Sequence, residues 1–91
     1  MSIRNEILLI EDERTICNFI MTTLKSNNYK MNFALTAANG LSLAASACPD
    51  LILLDLGLPD MNGIDVIRNI RGWSNIPIIV ISARTQEKEN L

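Results

Sequence analysis

Leu51-Ile52-Leu53-Leu54-Asp55-Leu56-Gly57-Leu58-Pro59-Asp60-Met61-Asn62-Gly63 is the stretch on which the fold turns. Four consecutive apolar residues without polar alternation read as a strand buried on both faces, as a central strand of a parallel sheet is. The run ends on a carboxylate, Asp55, and passes directly into a segment rich in turn formers. Upstream, Ile7-Leu8-Leu9-Ile10 ends in the same way on Glu11-Asp12. Two such strands side by side would bring three carboxylates to the rim at their carboxyl ends, where open α/β sheets bind ligands.

Working outward, four short apolar runs alternate with helix-period segments, the pattern of repeated βα units. The first strand is expected over Glu6 to Ile10. A helix opened by Asp12 runs to about Ser26, with Ile16, Phe19, Ile20 and Leu24 inward and Asn27-Asn28 as its stop. Tyr29 to Leu35 reads as the second strand. Thr36 caps a second helix whose Ala37, Leu41, Ala44, Ala45 and Cys48 share one face, and Pro49 ends it. Asp50 to Asp55 is the third strand, and Gly63 to Arg71 a third helix with Ile64, Ile67 and Ile70 inward. Pro77 to Ser82 is the fourth strand, and Ala83 to Leu91 begins a further helix.

The chain has 91 residues, enough for one small domain, and is 48% hydrophobic, which favours a packed core over disorder. Ten acidic against eight basic residues leave a net charge of −2, and the Arg and Lys are scattered, so no electrostatic footprint for nucleic acid is present. No apolar run approaches the ~20 residues of a membrane span. Glu11-Asp12-Glu13 interrupts the first apolar stretch too early for a signal peptide, so a cytoplasmic location is expected. Cys17 and Cys48 lack CxxC spacing and are expected as reduced, mostly buried small hydrophobes. The absence of His removes imidazole ligation, the usual general base and any internal phosphohistidine.

Singly, Asp12 needs to be no more than a helix cap and Asp55 no more than a turn residue. Together they imply like charges within a few ångströms, costly unless a cation neutralises them. Carboxylates without His or Cys suit a hard ion such as Mg²⁺, which takes one or two carboxylates and keeps several waters. Glu11 and Asp12 are thus expected as metal ligands or holders of its water, with Asp55 shared between metal and chemistry and Gly57 offering its backbone carbonyl. A carboxylate held against such an ion is a competent nucleophile toward a phosphoryl group. That group also needs a facing hydroxyl and cation. Ser82, at the end of the fourth strand, is placed to supply the hydroxyl, although capping the next helix would also account for it. Arg84, near the same rim, reads as solvated surface.

At these residues the chain resembles the receiver domain of two-component response regulators. Ile7 to Glu13, Asp55 to Asp60 with Gly63, and Ile79 to Arg84 carry the likeness. Within that family, Arg71 to Pro77 followed by Ile81 to Arg84 is similar to the KdpE type, of the OmpR/PhoB class, which regulates a potassium-uptake operon. The resemblance implies a flavodoxin-like, doubly wound parallel α/β sheet of order 2-1-3-4-5. It further implies phosphorylation of Asp55 by a sensor histidine kinase, Mg²⁺ at Glu11, Asp12, Asp55 and the Gly57 carbonyl, and Ser82 as the switch hydroxyl. In the intact family member, DNA is bound by a separate winged-helix domain, so residues 1–91 are expected to be a receiver alone, a phosphoryl acceptor and not an enzyme. Receivers also carry a Lys followed by Pro at the end of a fifth strand. Here Lys25, Lys30 and Lys88 do not fit that position, and the expectation is a receiver cut within its fourth helix, with strand order 2-1-3-4.

Other readings fit less well. An aspartate-nucleophile phosphatase of the haloacid-dehalogenase kind would want a second Asp where Gly57 stands, and a dinucleotide-binding module would want a glycine-rich turn in place of Glu11-Asp12-Glu13-Arg14. An interaction-only fragment, its phosphorylation impaired, remains as the alternative. The apolar edge Ile78 to Ile81 would then drive a homo-dimer or swapped oligomer.

Overall fold

The structure, a computed structural model, describes residues 5–81. Seven elements follow one another as β1 (Glu6–Ile10), α1 (Arg14–Lys25), β2 (Lys30–Ala34), α2 (Ala37–Ala47), β3 (Leu51–Leu54), α3 (Gly63–Arg71) and β4 (Ile78–Val80). The strands form one parallel sheet in the order β2-β1-β3-β4. The chain therefore reverses direction across the sheet between β1 and β3, which makes their carboxyl ends the topological switch point.

The period of two along the strands sorts the core into two layers. Leu8, Ile10, Ile52 and Leu54 pack against Ala37, Ala44, Leu58, Val66 and Ile70 on the face covered by α2 and α3. Ile7, Leu9 and Met31 turn to the other face and meet Cys17 of α1. Close packing of α2 depends on Gly40, where an added Cβ would stand 2.6 Å from Ile10 Cδ1, inside the contact distance of two carbons.

Helix ends account for several departures from the expected boundaries. The first helix begins at Arg14 with Glu13, not Asp12, at its N-cap, and no side chain caps it there. Asp12 lies one residue before that cap and is half-buried at the rim. Asn28, with φ 71°, takes the left-handed conformation that closes the exit from α1, in keeping with the expected Asn stop. Thr36 caps α2 as expected, its Oγ1 accepting from Asn39 N–H at 3.2 Å. The strands are shorter than read: β2 spans Lys30–Ala34, β3 Leu51–Leu54 and β4 Ile78–Val80.

Four side chains lie elsewhere than expected. At ~100° per residue, Phe19 falls about 130° from the centre of the stripe formed by Ile16, Cys17, Ile20, Met21 and Leu24, and it is 70% exposed. By the same arithmetic Ile64 lies about 110° from the inward direction of α3, where Val66 is buried in its stead. Ala45 sits on the flank of α2 and is exposed. Cys48 has the angular position of the buried face but is the C-cap, with φ 48°, and this left-handed turn takes it out to solvent. Cys17 is buried as expected, and both cysteines are free. The further helix from Ala83, the strand end at Ser82 and the basic residues Arg84 and Lys88 lie outside the described residues.

Candidate functional site

Strand register decides where the acidic residues meet. Ile10 of β1 is the Cα partner of Leu54 of β3, so Glu11 and Asp55, each the next residue, emerge at the same level of the sheet. The ladder continues through them: Asp55 N–H donates to the Ile10 carbonyl at 2.9 Å and Glu11 N–H to the Ala34 carbonyl at 3.0 Å. Backbone hydrogen bonds of this kind fix both Cα positions, so the two carboxylates are delivered by the sheet and not by a mobile loop.

The structure brings Glu11, Asp12 and Asp55 together: one carboxylate oxygen from each lies within 4.8 Å of the other two. Glu11 is 2% and Asp55 1% exposed, while Asp12 is half-buried. Glu11 Oε2 accepts from Glu13 N–H at 2.9 Å, and Asp55 Oδ1 accepts from Gly57 N–H at 3.3 Å. The cluster also stands before the N-terminus of α1, whose dipole favours negative charge. Burial, reinforced by the Glu11 carboxylate and opposed by Arg14, pushes the Cys17 thiol above its ordinary pKa, so this cysteine stays protonated and unreactive.

The donor set fits a hard divalent cation. Oxygens around Mg²⁺ at about 2.1 Å lie roughly 3 to 4 Å apart, so a cluster no wider than 4.8 Å closes on such an ion with small side-chain rotations. No sulfur or imidazole competes among the described residues of the cluster, and all three candidate donors are carboxylates. Of the expected site residues, Ser82 lies outside the described residues, and Gly57 is in the loop that leaves Asp55.

The model of the response regulator receiver domain matches residues 7–91. The chain belongs to that family. Among curated relatives, this receiver is 46% identical over 85 residues to the KDP operon transcriptional regulatory protein KdpE of Escherichia coli (strain K12), covering 93% of the chain and 38% of that protein. It is 41% identical over 80 residues to the response regulator ArlR of Staphylococcus saprophyticus, covering 88% of the chain and 36% of that protein. The receiver thus spans little more than a third of the length of these relatives. Among solved structures it is similar to the BeF3-activated N-terminal receiver domain of Klebsiella pneumoniae RstA, with a TM-score of 0.85 at 25% identity, over 93% of this chain and 73% of that one. The receiver domain of the Francisella response regulator 1452 matches with a TM-score of 0.84 at 25% identity, over 94% of this chain and 72% of that one. These findings agree with the expected flavodoxin-like sheet of order 2-1-3-4 and with the KdpE-like character of the chain.

One residue of the site region escaped the sequence reading. Asp60, read as a turn former within the motif that carries the likeness but given no role of its own, accepts from Ala37 N–H through Oδ1 at 2.8 Å and from Ala38 N–H through Oδ2 at 3.0 Å. It therefore caps α2 from a distant loop. A cap contributed 23 residues away along the chain leaves no local spacing by which it could be found. The two N–H groups, Ala37 first, hold the Asp60 carboxyl below the usual carboxylate range. A depressed pKa contributes stability that is whole above the unfolded value and is lost as pH falls through the folded one. The stability difference between the native chain and Asp60→Asn is thus expected to begin closing as pH falls below about 4. Urea titrations from neutral pH downward check it, and a difference that does not narrow at all on acidification would refute the ionised cap.

Proposed function

We propose that this receiver accepts a phosphoryl group on Asp55 from the phosphohistidine of a sensor kinase, with Mg²⁺ held by Glu11, Asp12, Asp55 and the Gly57 carbonyl. The observation that carries the reading is the convergence of the three carboxylates within 4.8 Å at the switch point of the sheet. In the transfer, an Asp55 carboxylate oxygen forms a bond to phosphorus as the bond from phosphorus to the kinase imidazole nitrogen breaks. The product is an acyl phosphate, and the imidazole departs with the bonding electron pair. The cation, when bound, supplies neutralisation of charge on the phosphoryl oxygens. The chain's own contribution is positional: β3 fixes the Asp55 backbone, and Gly57 N–H steadies its carboxylate. Ser82 is assigned the hydroxyl that meets the phosphoryl group.

In this reading residues 1–91 act as a phosphoryl acceptor and not as an enzyme with turnover. They bind no nucleic acid themselves and serve transcription through a DNA-binding domain of the parent regulator, with potassium-transport genes as targets by likeness to KdpE. No helix among the described residues is long and apolar enough to cross a membrane, and the proposed site of action is the cytoplasm. Calorimetric titration with Mg²⁺ tests the cation site: binding is expected in the native chain, and Asp12→Ala should weaken it about 10- to 100-fold or more, because a ligand and a full charge are removed. Undiminished affinity in Asp12→Ala would overturn the assignment.

A second reading is favoured by β4, which is an edge strand among the described residues and carries Ile79 at 51% and Val80 at 44% exposure. A parallel edge with exposed apolar side chains pairs readily with another chain. Self-association of the 91-residue chain at micromolar concentration is expected in sedimentation velocity. A single monomeric species there would refute it.

A further inference from the structure

The loop from Leu56 to Asn62 leaves β3 beside Asp55 and returns at the first residue of α3, Gly63. Its base is closed by Gly63 N–H, which donates to the Leu56 carbonyl at 3.2 Å. An added Cβ at Gly63 would stand 2.6 Å from Leu56 Cα, an approach of backbone to backbone that a side chain would forbid. The start of the loop touches the acceptor, through Gly57 N–H on Asp55 Oδ1. Its middle is anchored by Leu58, which is buried in the layer under α2 and α3. Loop closure and packing account for these three contacts. Neither accounts for the fourth, in which both oxygens of Asp60 bind the first turn of α2.

We infer that Asp60 is a positioning residue of the phosphoryl-acceptor site, holding the loop so that the Gly57 peptide stays against the Asp55 carboxylate. This rests on the proposed cation and acceptor roles of Glu11, Asp12 and Asp55. Asp60 touches none of these groups; it acts by tying the far side of the loop to a helix that is itself packed on β1 through Gly40 and Ile10. Ala37 is 0% exposed, so water replaces the Asp60 oxygen poorly at its N–H and the tie has no equivalent substitute. Carboxylate sites depend on such outer supports, whose loss costs roughly 10- to 100-fold in metal affinity.

Thr36 supplies the control. Its Oγ1 caps the same helix at Asn39 N–H, so Thr36→Ala weakens α2 without removing the tie between α2 and the site loop. In the full 91-residue chain, Asp60→Ala is expected to speed amide hydrogen exchange at Gly57 several-fold and to weaken Mg²⁺ binding about 10-fold. Asp60→Asn, which keeps one accepting oxygen, should fall between Asp60→Ala and the native chain, and Thr36→Ala should leave both readouts at native values. If Asp60→Ala proves unfolded by circular dichroism, Asp60→Asn against Thr36→Ala carries the comparison. Native exchange at Gly57 in the Asp60 variants would overturn the inference, as would equal acceleration in Thr36→Ala, which would reduce the effect to fraying of α2. Native Mg²⁺ affinity in the Asp60 variants would overturn the positioning role. Accelerated exchange together with no Mg²⁺ uptake by the native chain would instead overturn the cation reading and leave the tie between Asp60 and Gly57 standing.

Discussion

Asp55→Asn is expected to abolish covalent phosphorylation, whether the donor is acetyl phosphate or a phosphohistidine kinase supplied in trans. The amide keeps the shape of the carboxylate and an oxygen that can accept from Gly57 N–H, so the fold and the loop contact survive the change. What it lacks is a charged oxygen able to form the acyl phosphate, and removal of a nucleophile in a covalent mechanism costs on the order of 10⁶-fold in rate. Asp12→Ala should act differently. It removes charge that supports the transfer but leaves the nucleophile, a loss comparable with deletion of one electrostatic contact, about 10²–10³-fold. Intact-mass measurement separates the two, since the first variant gains no phosphoryl mass at any time and the second gains it slowly. The chain contains no His to take the group instead. A phosphoryl adduct on Asp55→Asn would sink the assignment of the nucleophile, and the residue bearing it would be the true acceptor.

The parts of the site that were legible in the sequence are those written in local pattern. An apolar run that stops on a carboxylate announces both a buried strand and a charge at its end, and β1 and β3 show it at Glu11 and Asp55. Adjacency of those strands is not local: it comes from the strand order, which the family resemblance implied and periodicity alone could not supply. The cap formed by Asp60 on Ala37 and Ala38 is less legible still, because it joins a loop to the first turn of a helix that only the assembled sheet brings beside it. Helix facing failed where apolar character was counted without regard to angular position. Phe19 and Ile64 are apolar but lie more than about 100° out of phase, and the sheet admits only the set centred on Cys17 in α1 and on Val66 and Ile70 in α3. Cys48 failed for another reason, since a left-handed C-cap depends on a backbone turn that an angular count of side chains does not contain.

Phe19 and Leu54 turn that difference between pattern and packing into an expected result of large size. Leu54 is 0% exposed, is the Cα partner of both Ile10 and Val80, and lies in the layer that also holds Ile52, Val66 and Ile70. Leu54→Ala removes its buried methyl groups and leaves a cavity between strands whose backbone is held by neighbours on both sides, so little collapse can relieve it. Such sites lose about 2–5 kcal/mol. A domain of this size has only about 5–14 kcal/mol to lose, and the midpoint of thermal unfolding should fall by roughly 10–25 °C. Phe19→Ala deletes a larger side chain, but one that is 70% exposed, and its effect should stay within about 0.5 kcal/mol. Because Leu54 ends β3 immediately before Asp55, its loss should also loosen the Asp55 carboxylate and lower affinity at the proposed Mg²⁺ site at temperatures where the chain remains folded, whereas Phe19→Ala should not. Urea unfolding of the two variants, with Mg²⁺ titration of each, is the check. Equal destabilisation by both would mean that α1 buries Phe19 in solution and that its inward stripe is the wider one read from the sequence.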